Sequence, residues 1–478
     1  MRIGTFGSSL LAVSLLLTGC GAGTDNQAQA DVSSTDVKWS DEAINQLRQA
    51  LAERAAHGLD QMDFGFDPGT DGSDSARPTQ AALAYAGALA RGATDPAKLH
   101  EIYTVARPSP DLQQALTQAL NEDRLGEWLA SLAPQDASYR KLSQTYLALR
   151  RQAGGGPSDI PAASEPLKPG ESDPRVPAIA RQLAASGYLE DAGGSGTRYS
   201  PALAEAVRRM QSDYGIADDG VVGADALEIL NLSDADRARA IAVNMERLRW
   251  LERSPPSTRI DVNTAAAQLS YWRDGKLADV RRVIVGAPDT ETPILGSPIY
   301  RLVANPTWTV PRSIEENELA DKSADYLRRN NMAREDGWIV QQSGPENSLG
   351  LVKFDMKNEH AIYLHDTPAK ALFDEVQRQR SHGCVRVQDA LGFAEMLARD
   401  QGVTAEWRKA RETGEETFVP LPKEIPVRLL YQTVIFDDAS EPVVRDDPYG
   451  WNNAVAAALG FGAGSDRRVR SDQRDVGP

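Results

Sequence analysis

The chain has 478 residues, 41% of them hydrophobic and 25% charged, with a formal net charge of −16 at pH 7. That length suits about three domains, and the composition is that of ordinary globular protein. The acidity excludes a general nucleic-acid binder, which needs a basic surface, and its even spread along the chain reads as an aid to solubility.

Residues 1–20, MRIGTFGSSLLAVSLLLTGC, place an arginine before an apolar run, Leu10 to Leu17, and then small residues. This is the layout of a secretory signal, too short to cross a bilayer as a stable helix. Leu17-Thr18-Gly19-Cys20 resembles a bacterial lipobox, which implies cleavage before Cys20 and lipidation of that cysteine. The plainer alternative is ordinary signal cleavage beside an incidental cysteine. Gly21 rather than Asp after the cysteine favours sorting to the outer membrane. Residues 21–35 are small and polar and read as a flexible tether. No later segment is long and apolar enough for a transmembrane helix.

Residues 36–152 predict a helical scaffold. Ser40-Asp41 is a start signal before Ile44, Leu47 and Leu51 at helical spacing, and the pattern recurs over Gln80–Ala90, Pro110–Asn121 and Arg124–Ala133. Residues 153–173, rich in Gly, Pro, Ser and Glu, read as a linker. Residues 174–232 form a compact unit. One helix carries Val176, Ile179 and Leu183, and a second carries Leu203, Val207 and Met210. The turn Asp218-Asp219-Gly220-Val221-Val222-Gly223 then precedes a third helix. GYL, AVRRMQSDYGI and DDGVVGADALEILN resemble the three-helix peptidoglycan-binding domain of cell-wall enzymes. A spacer of the same fold without wall affinity is the bland alternative. Residues 233–257 read as a charged connector helix stopped by Pro255-Pro256.

From Thr258 the pattern turns to strands, including a hairpin around Trp272–Gly275, Ile299–Val303, Ala361–His365 and Val427–Val434. Helices are expected at 315–329, 368–376 and 390–398. The reading is a mainly β domain over 258–455 with a helical insertion at 312–342, followed by a tail at 456–478.

The chain holds two cysteines and five histidines. With Cys20 assigned to the leader, Cys384 in Ser381-His382-Gly383-Cys384 is the thiol left for the folded part, and an exported unpaired thiol is an oxidation hazard without structural return. A nucleophile is the economical explanation. Gly383 lets backbone approach closely, so the amides of Gly383 and Cys384 could line an oxyanion hole. His365, at the end of a strand, is the better base than His382, whose side chain diverges from that of Cys384; its ordinary pKa suits proton transfer both ways. An inert buried cysteine and a zinc site are the alternatives. The latter lacks a second cysteine or an HExxH motif.

The ordered motifs NPTWTVP (305–311), GPENSLGLVKFDM (344–356), IYLHDTP (362–368) and SHGCVRV (381–387) resemble the L,D-transpeptidase catalytic domain of the YkuD type, in its YcbB-like subgroup. The fold the resemblance implies is multidomain: an α-helical scaffold, a small peptidoglycan-binding domain and a mainly β catalytic domain with a helical capping insertion. It also implies a role for each matching residue. Cys384 would attack the third residue of a tetrapeptide donor stem, with His365 as base and its tautomer held by a backbone carbonyl. His382, Gly383 and Cys384 would form the oxyanion hole. Ser381 would orient the loop, Arg386 would anchor a substrate carboxylate, and Tyr363 and Trp308 would line the cleft. An acceptor amine would resolve the thioester into a 3–3 crosslink, with no metal or other cofactor. The implied partners are peptidoglycan stem peptides and the lipid anchor, in the periplasm. The same chemistry could instead attach an outer-membrane protein to the wall or release it. A non-catalytic wall-tethering lipoprotein would not need the His365 and Cys384 pair. Met356-Lys357-Asn358 is less apolar than the family's usual Phe-Pro-Asn.

Overall fold

A computed structural model describes residues 38–66, 76–152, 160–191, 196–437 and 440–464. The leader, lipobox and tether lie outside the described residues, as does the tail beyond 464. No helix among the described residues is long and apolar enough to cross a membrane.

The scaffold is helical, with its main helices at Asp41–Ala52, Ala76–Arg91, Leu112–Asn121, Leu125–Leu132 and Ala137–Gln152. Ser40 caps the first as its sequence predicts, accepting from the Ala43 amide, and the face of Ile44, Leu47 and Leu51 is buried. The last helix lies beyond Pro134, which reads as punctuation; its buried face is Tyr139, Leu142 and Tyr146.

Helices Val176–Ala185, Pro201–Tyr214 and Ala224–Leu230 build the middle unit. The glycine turn is fixed from within. Gln211 accepts from the Gly220 amide at 2.8 Å and donates to the Val221 carbonyl at 2.9 Å, while the buried Tyr199 hydroxyl donates to the Gly220 carbonyl at 2.7 Å. Two features correct the reading of an independent unit behind a linker. Ile160 and Leu167, from the supposed linker, lie in its core, and Leu167 exchanges both backbone hydrogen bonds with Val222. Val443, from a strand near the C-terminus, is buried in the same core. Linker-like composition hid the two apolar anchors.

The connector helix, Asp234–Arg249, opens with a capping box between Ser233 and Asp236. Of its charged residues Glu246, Arg247 and Arg249 are all buried. Glu246 accepts from the Thr94 amide and hydroxyl, both at 2.7 Å, from the Trp250 indole and from Arg249. Arg249 also donates to the His57 carbonyl and the Tyr139 hydroxyl. On the other side Arg247 donates to Asn452 and Asn244 to Thr433. One helix thus holds the scaffold to the C-terminal segment, where helix Asn452–Ala458 buries Val455 and Ala456.

The catalytic domain is built on β1 (Arg259–Asn263), β2 (Gln268–Arg273), β3 (Lys276–Gly286), β4 (Leu295–Ala304), β5 (Trp308–Thr309), β6 (Met332–Glu335), β7 (Trp338–Gln341), β8 (Val352–Met356), β9 (Leu364–His365), β10 (Gln379–Ser381), β11 (Val385–Val387), β12 (Thr417–Leu430), β13 (Val434–Phe436) and β14 (Pro442–Val444). Nine of these form one sheet in the order β10-β3-β11-β9-β8-β4-β12-β1-β2. It closes on itself because β3 also pairs with β2. Helices Ala390–Asp400 and Thr404–Glu412 bury Phe393, Leu397 and Trp407 against one face. The scaffold reaches this sheet at Tyr103, which bridges to Ile294 just before β4. The insertion is not wholly helical: a broken helical stretch over 312–329 is followed by β6 and β7, and β7 lies between β5 and β6 in a separate three-stranded sheet. Its core is Trp308, Val310, Ile314, Leu319, Met332, Ile339 and Leu349.

Removing one partner of a buried ion pair leaves the other charge uncompensated, at about 3–5 kcal/mol. Glu246→Ala should therefore lower the melting temperature sharply, whereas Glu316→Ala, at an exposed site on the insertion, should leave it unchanged. Differential scanning calorimetry of both variants checks this.

Candidate active site

Alternation along the sheet decides which side chains meet. In β8, β9 and β11 the residues Val352, Phe354, Leu364, Val385 and Val387 point into the core. Their neighbours in sequence must point to the other face. β9 and β11 run parallel with Val385 opposite Leu364 and Arg386 opposite His365, and β8 sets Lys353 opposite His365. One face therefore gathers Lys353, Asp355, Tyr363, His365, Cys384 and Arg386.

His365 is fully buried, and its Nδ1 meets the Asp366 carbonyl. A carbonyl only accepts, so Nδ1 carries the hydrogen and Nε2 keeps its lone pair. Asp366 is held in turn: its carboxylate accepts from the Leu351 amide and from Lys370. Gly350, at φ 61°, lies against that carboxylate so closely that a Cβ would sit 2.4 Å from an Asp366 oxygen. The glycine of the SLG motif is thus a packing requirement of the residue that fixes the histidine tautomer.

Cys384 is 6% exposed, and its Sγ lies 3.6 Å from the Ala361 carbonyl. Ala361 itself has φ 55°, uncommon for a residue with a side chain. Burial pushes the thiol up to about 11, against the opposing pull of hydrogen bonds from Tyr363 and the charges of Lys353 and Arg386. At neutral pH the sulfur is a thiol that needs a base.

The loop before it is pinned from behind. The Ser381 carbonyl accepts from the Ala287 amide and the Thr290 hydroxyl, and the Gly383 carbonyl accepts from Thr292. Ser381 Oγ donates to the Cys384 carbonyl at 2.6 Å and accepts from the Gly383 amide at 3.2 Å. Gly383, at φ 113°, takes a conformation side chains resist. Its amide faces Ser381, so the expected oxyanion role of that amide is revised: its hydrogen is already engaged inward. His382 turns away from Cys384 and meets Glu318 of the insertion at 2.5 Å.

Two further expectations change. Arg386 is 2% exposed, set as deep as its strand neighbour His365 rather than on an open surface, and its charge is among those that favour the thiolate of Cys384. Trp308 is 1% exposed and belongs to the core of the insertion rather than to a cleft wall. Tyr363 is half-buried, packed against that core and edge-on to His365 at 5.7 Å. Sequence reasoning passed over Lys353, whose ammonium lies 4.3 Å above the Tyr363 ring and 2.8 Å from Asp355. The alternation of VKFDM carries that signal.

Residues 257–414 match the L,D-transpeptidase catalytic domain family, residues 172–230 a peptidoglycan-binding domain family and residues 33–145 a scaffold domain family. The chain thus carries a YkuD-type L,D-transpeptidase catalytic domain beside a peptidoglycan-binding domain. A Haemophilus influenzae protein provisionally named as an L,D-transpeptidase is 32% identical over 253 residues, covering 47% of this chain and 50% of that protein, so the match spans half of the relative's length. Among solved structures, the chain is matched to an L,D-transpeptidase from Stackebrandtia nassauensis (13% identity, 56% of this chain and 96% of that one, TM-score 0.24). Another is from Xylanimonas cellulosilytica (17% identity, 56% and 99%, TM-score 0.19).

Because the thiol is held protonated by burial, alkylation of Cys384 by iodoacetamide should rise roughly tenfold per unit between about pH 7 and 10 as thiolate forms. Lys353→Met removes a charge that favours the thiolate, so its rate curve should shift to higher pH. Intact mass against time at each pH reads both.

Proposed function

We propose that this protein is a cell-wall L,D-transpeptidase that forms 3–3 peptidoglycan crosslinks through a thioester on Cys384. The observation that carries the reading is the single sheet face on which Cys384 immediately precedes β11, the strand beside His365, with the histidine's Nδ1 hydrogen committed to the Asp366 carbonyl. That leaves Nε2 as the basic atom.

In the proposed reaction His365 Nε2 takes the thiol proton as Sγ attacks the carbonyl carbon at the third residue of a donor tetrapeptide. The amide of Cys384 supports the oxyanion. Collapse breaks the peptide bond, and the proton on His365 passes to the departing amine of the terminal D-alanine. The amine of a second stem then attacks the thioester carbonyl, giving its proton to His365. The thiolate leaves, is reprotonated, and a new amide remains. Ser381 and the two threonines behind the loop keep the sulfur in line during both attacks. The middle unit supports a wall substrate. The leader supports export to the periplasm and anchoring to the outer membrane through lipid on Cys20.

The test is covalent capture. A carbapenem, whose strained amide acylates thiolates, should add one adduct mass to the wild type and none to Cys384→Ala. Adduct formation on the alanine variant would refute the assignment. With tetrapeptide muropeptides, His365→Ala should lose on the order of 10²-fold or more in turnover, the range for a lost general base.

A further inference from the structure

The insertion and the nucleophile loop touch through a pair that the reaction above does not use. Glu318 Oε1 lies 2.5 Å from His382 Nε2, and the two side chains are only 22% and 12% exposed. Glu318 sits on a single wide π turn, Glu315–Leu319, a form rare in proteins and frequent at functional sites. Both ends of that turn are fixed. Glu315 is bound by Arg312 at 2.6 Å and Arg334 at 2.8 Å, and Leu319 is buried in the insertion's core. The carboxylate therefore reports the position of the whole insertion.

At the other end, His382 lies between Ser381 and Gly383, whose carbonyls are pinned from behind by Thr290 and Thr292. Those bonds fix the far side of the loop, and the His382 side chain supplies a hold on the side of the insertion. A carboxylate only accepts, so Nε2 of His382 is the donor and the tautomer is set.

We propose that Glu318 is a positioning residue: it orients His382, and through it the Ser381–Cys384 loop, only when the insertion is seated over the thiol. Glu318 does not touch the reacting atoms. Seating of the insertion on a bound stem then completes the loop geometry, so acylation is coupled to closure. The inference rests on the acyl-transfer reading above and adds a residue to it.

The test compares wild type, Glu318→Ala, His382→Ala and the double variant, with Glu316→Ala as a control on the same turn. Each is followed for carbapenem acylation, resolved into reagent affinity and maximal rate, for iodoacetamide alkylation of Cys384, and for melting temperature. Glu318→Ala should cut the maximal acylation rate about tenfold with affinity little changed, a size usual for contacting pairs. Alkylation, which needs no oxyanion support, should not fall. The double variant should be no slower than the slower single variant, and Glu318→Asp should restore part of the rate. An unchanged acylation rate in Glu318→Ala, additive losses in the double variant, or a parallel fall in alkylation would each overturn the proposal. A wild type that the carbapenem does not acylate would overturn the functional reading and this proposal with it, an outcome distinct from a reactive wild type matched by Glu318→Ala.

Discussion

The architecture depends on a charge pair that no water reaches. Glu246 and Arg249 are both 0% exposed, one helical turn apart in the connector. Two ions in that setting are tolerable only when every lone pair and proton finds a partner. Those partners come from Thr94, His57, Tyr139 and Trp250. The cost of burying charge is thus converted into a demand for one arrangement of the scaffold helices around the connector. Apolar packing alone would tolerate several arrangements, since Ala-rich helices such as Ala76–Arg91 offer little shape to distinguish them.

The candidate site was legible where it depends on residue type and order. Cys384 and His365 stand out because thiols and imidazoles are scarce in this chain, and strand alternation alone puts them on one face. Depth was not legible. Arg386 and Trp308 occupy motif positions that imply contact with substrate, yet both are almost wholly buried, the second in the core of the insertion. Burial depends on what packs above a residue, and that comes from segments far along the chain. The connector reads in sequence as a charged helix packing one domain on the next, but which of its charges are buried is set by partners at residues 57, 94 and 139. The supposed linker failed for a different reason, because single apolar anchors such as Ile160 carry no periodicity to detect.

The thiol's environment sets two demands against each other. Burial that favours the neutral sulfur also keeps water from it, which in the proposed reaction would protect the thioester from hydrolysis. The charges of Lys353 and Arg386 offset part of that burial, limiting how far the thiol is raised. The tyrosine between them takes a share of the same desolvation: burial, with Cys384 beside it, raises its phenol well above the usual range.

Val443, set into the core of the peptidoglycan-binding unit from a strand paired with β13, has a mechanical meaning. A domain on a loose string can swivel, and its grip on a polymer says nothing about where a distant cleft points. Here a C-terminal strand lends a side chain to that unit's core, and Arg445 clasps the carbonyls of Ser212 and Asp213 at the same seam. A load applied at one is borne by the other as torque on a stiff body. Whatever that unit grips is then presented at a fixed angle, like a tool with its handle welded to the blade.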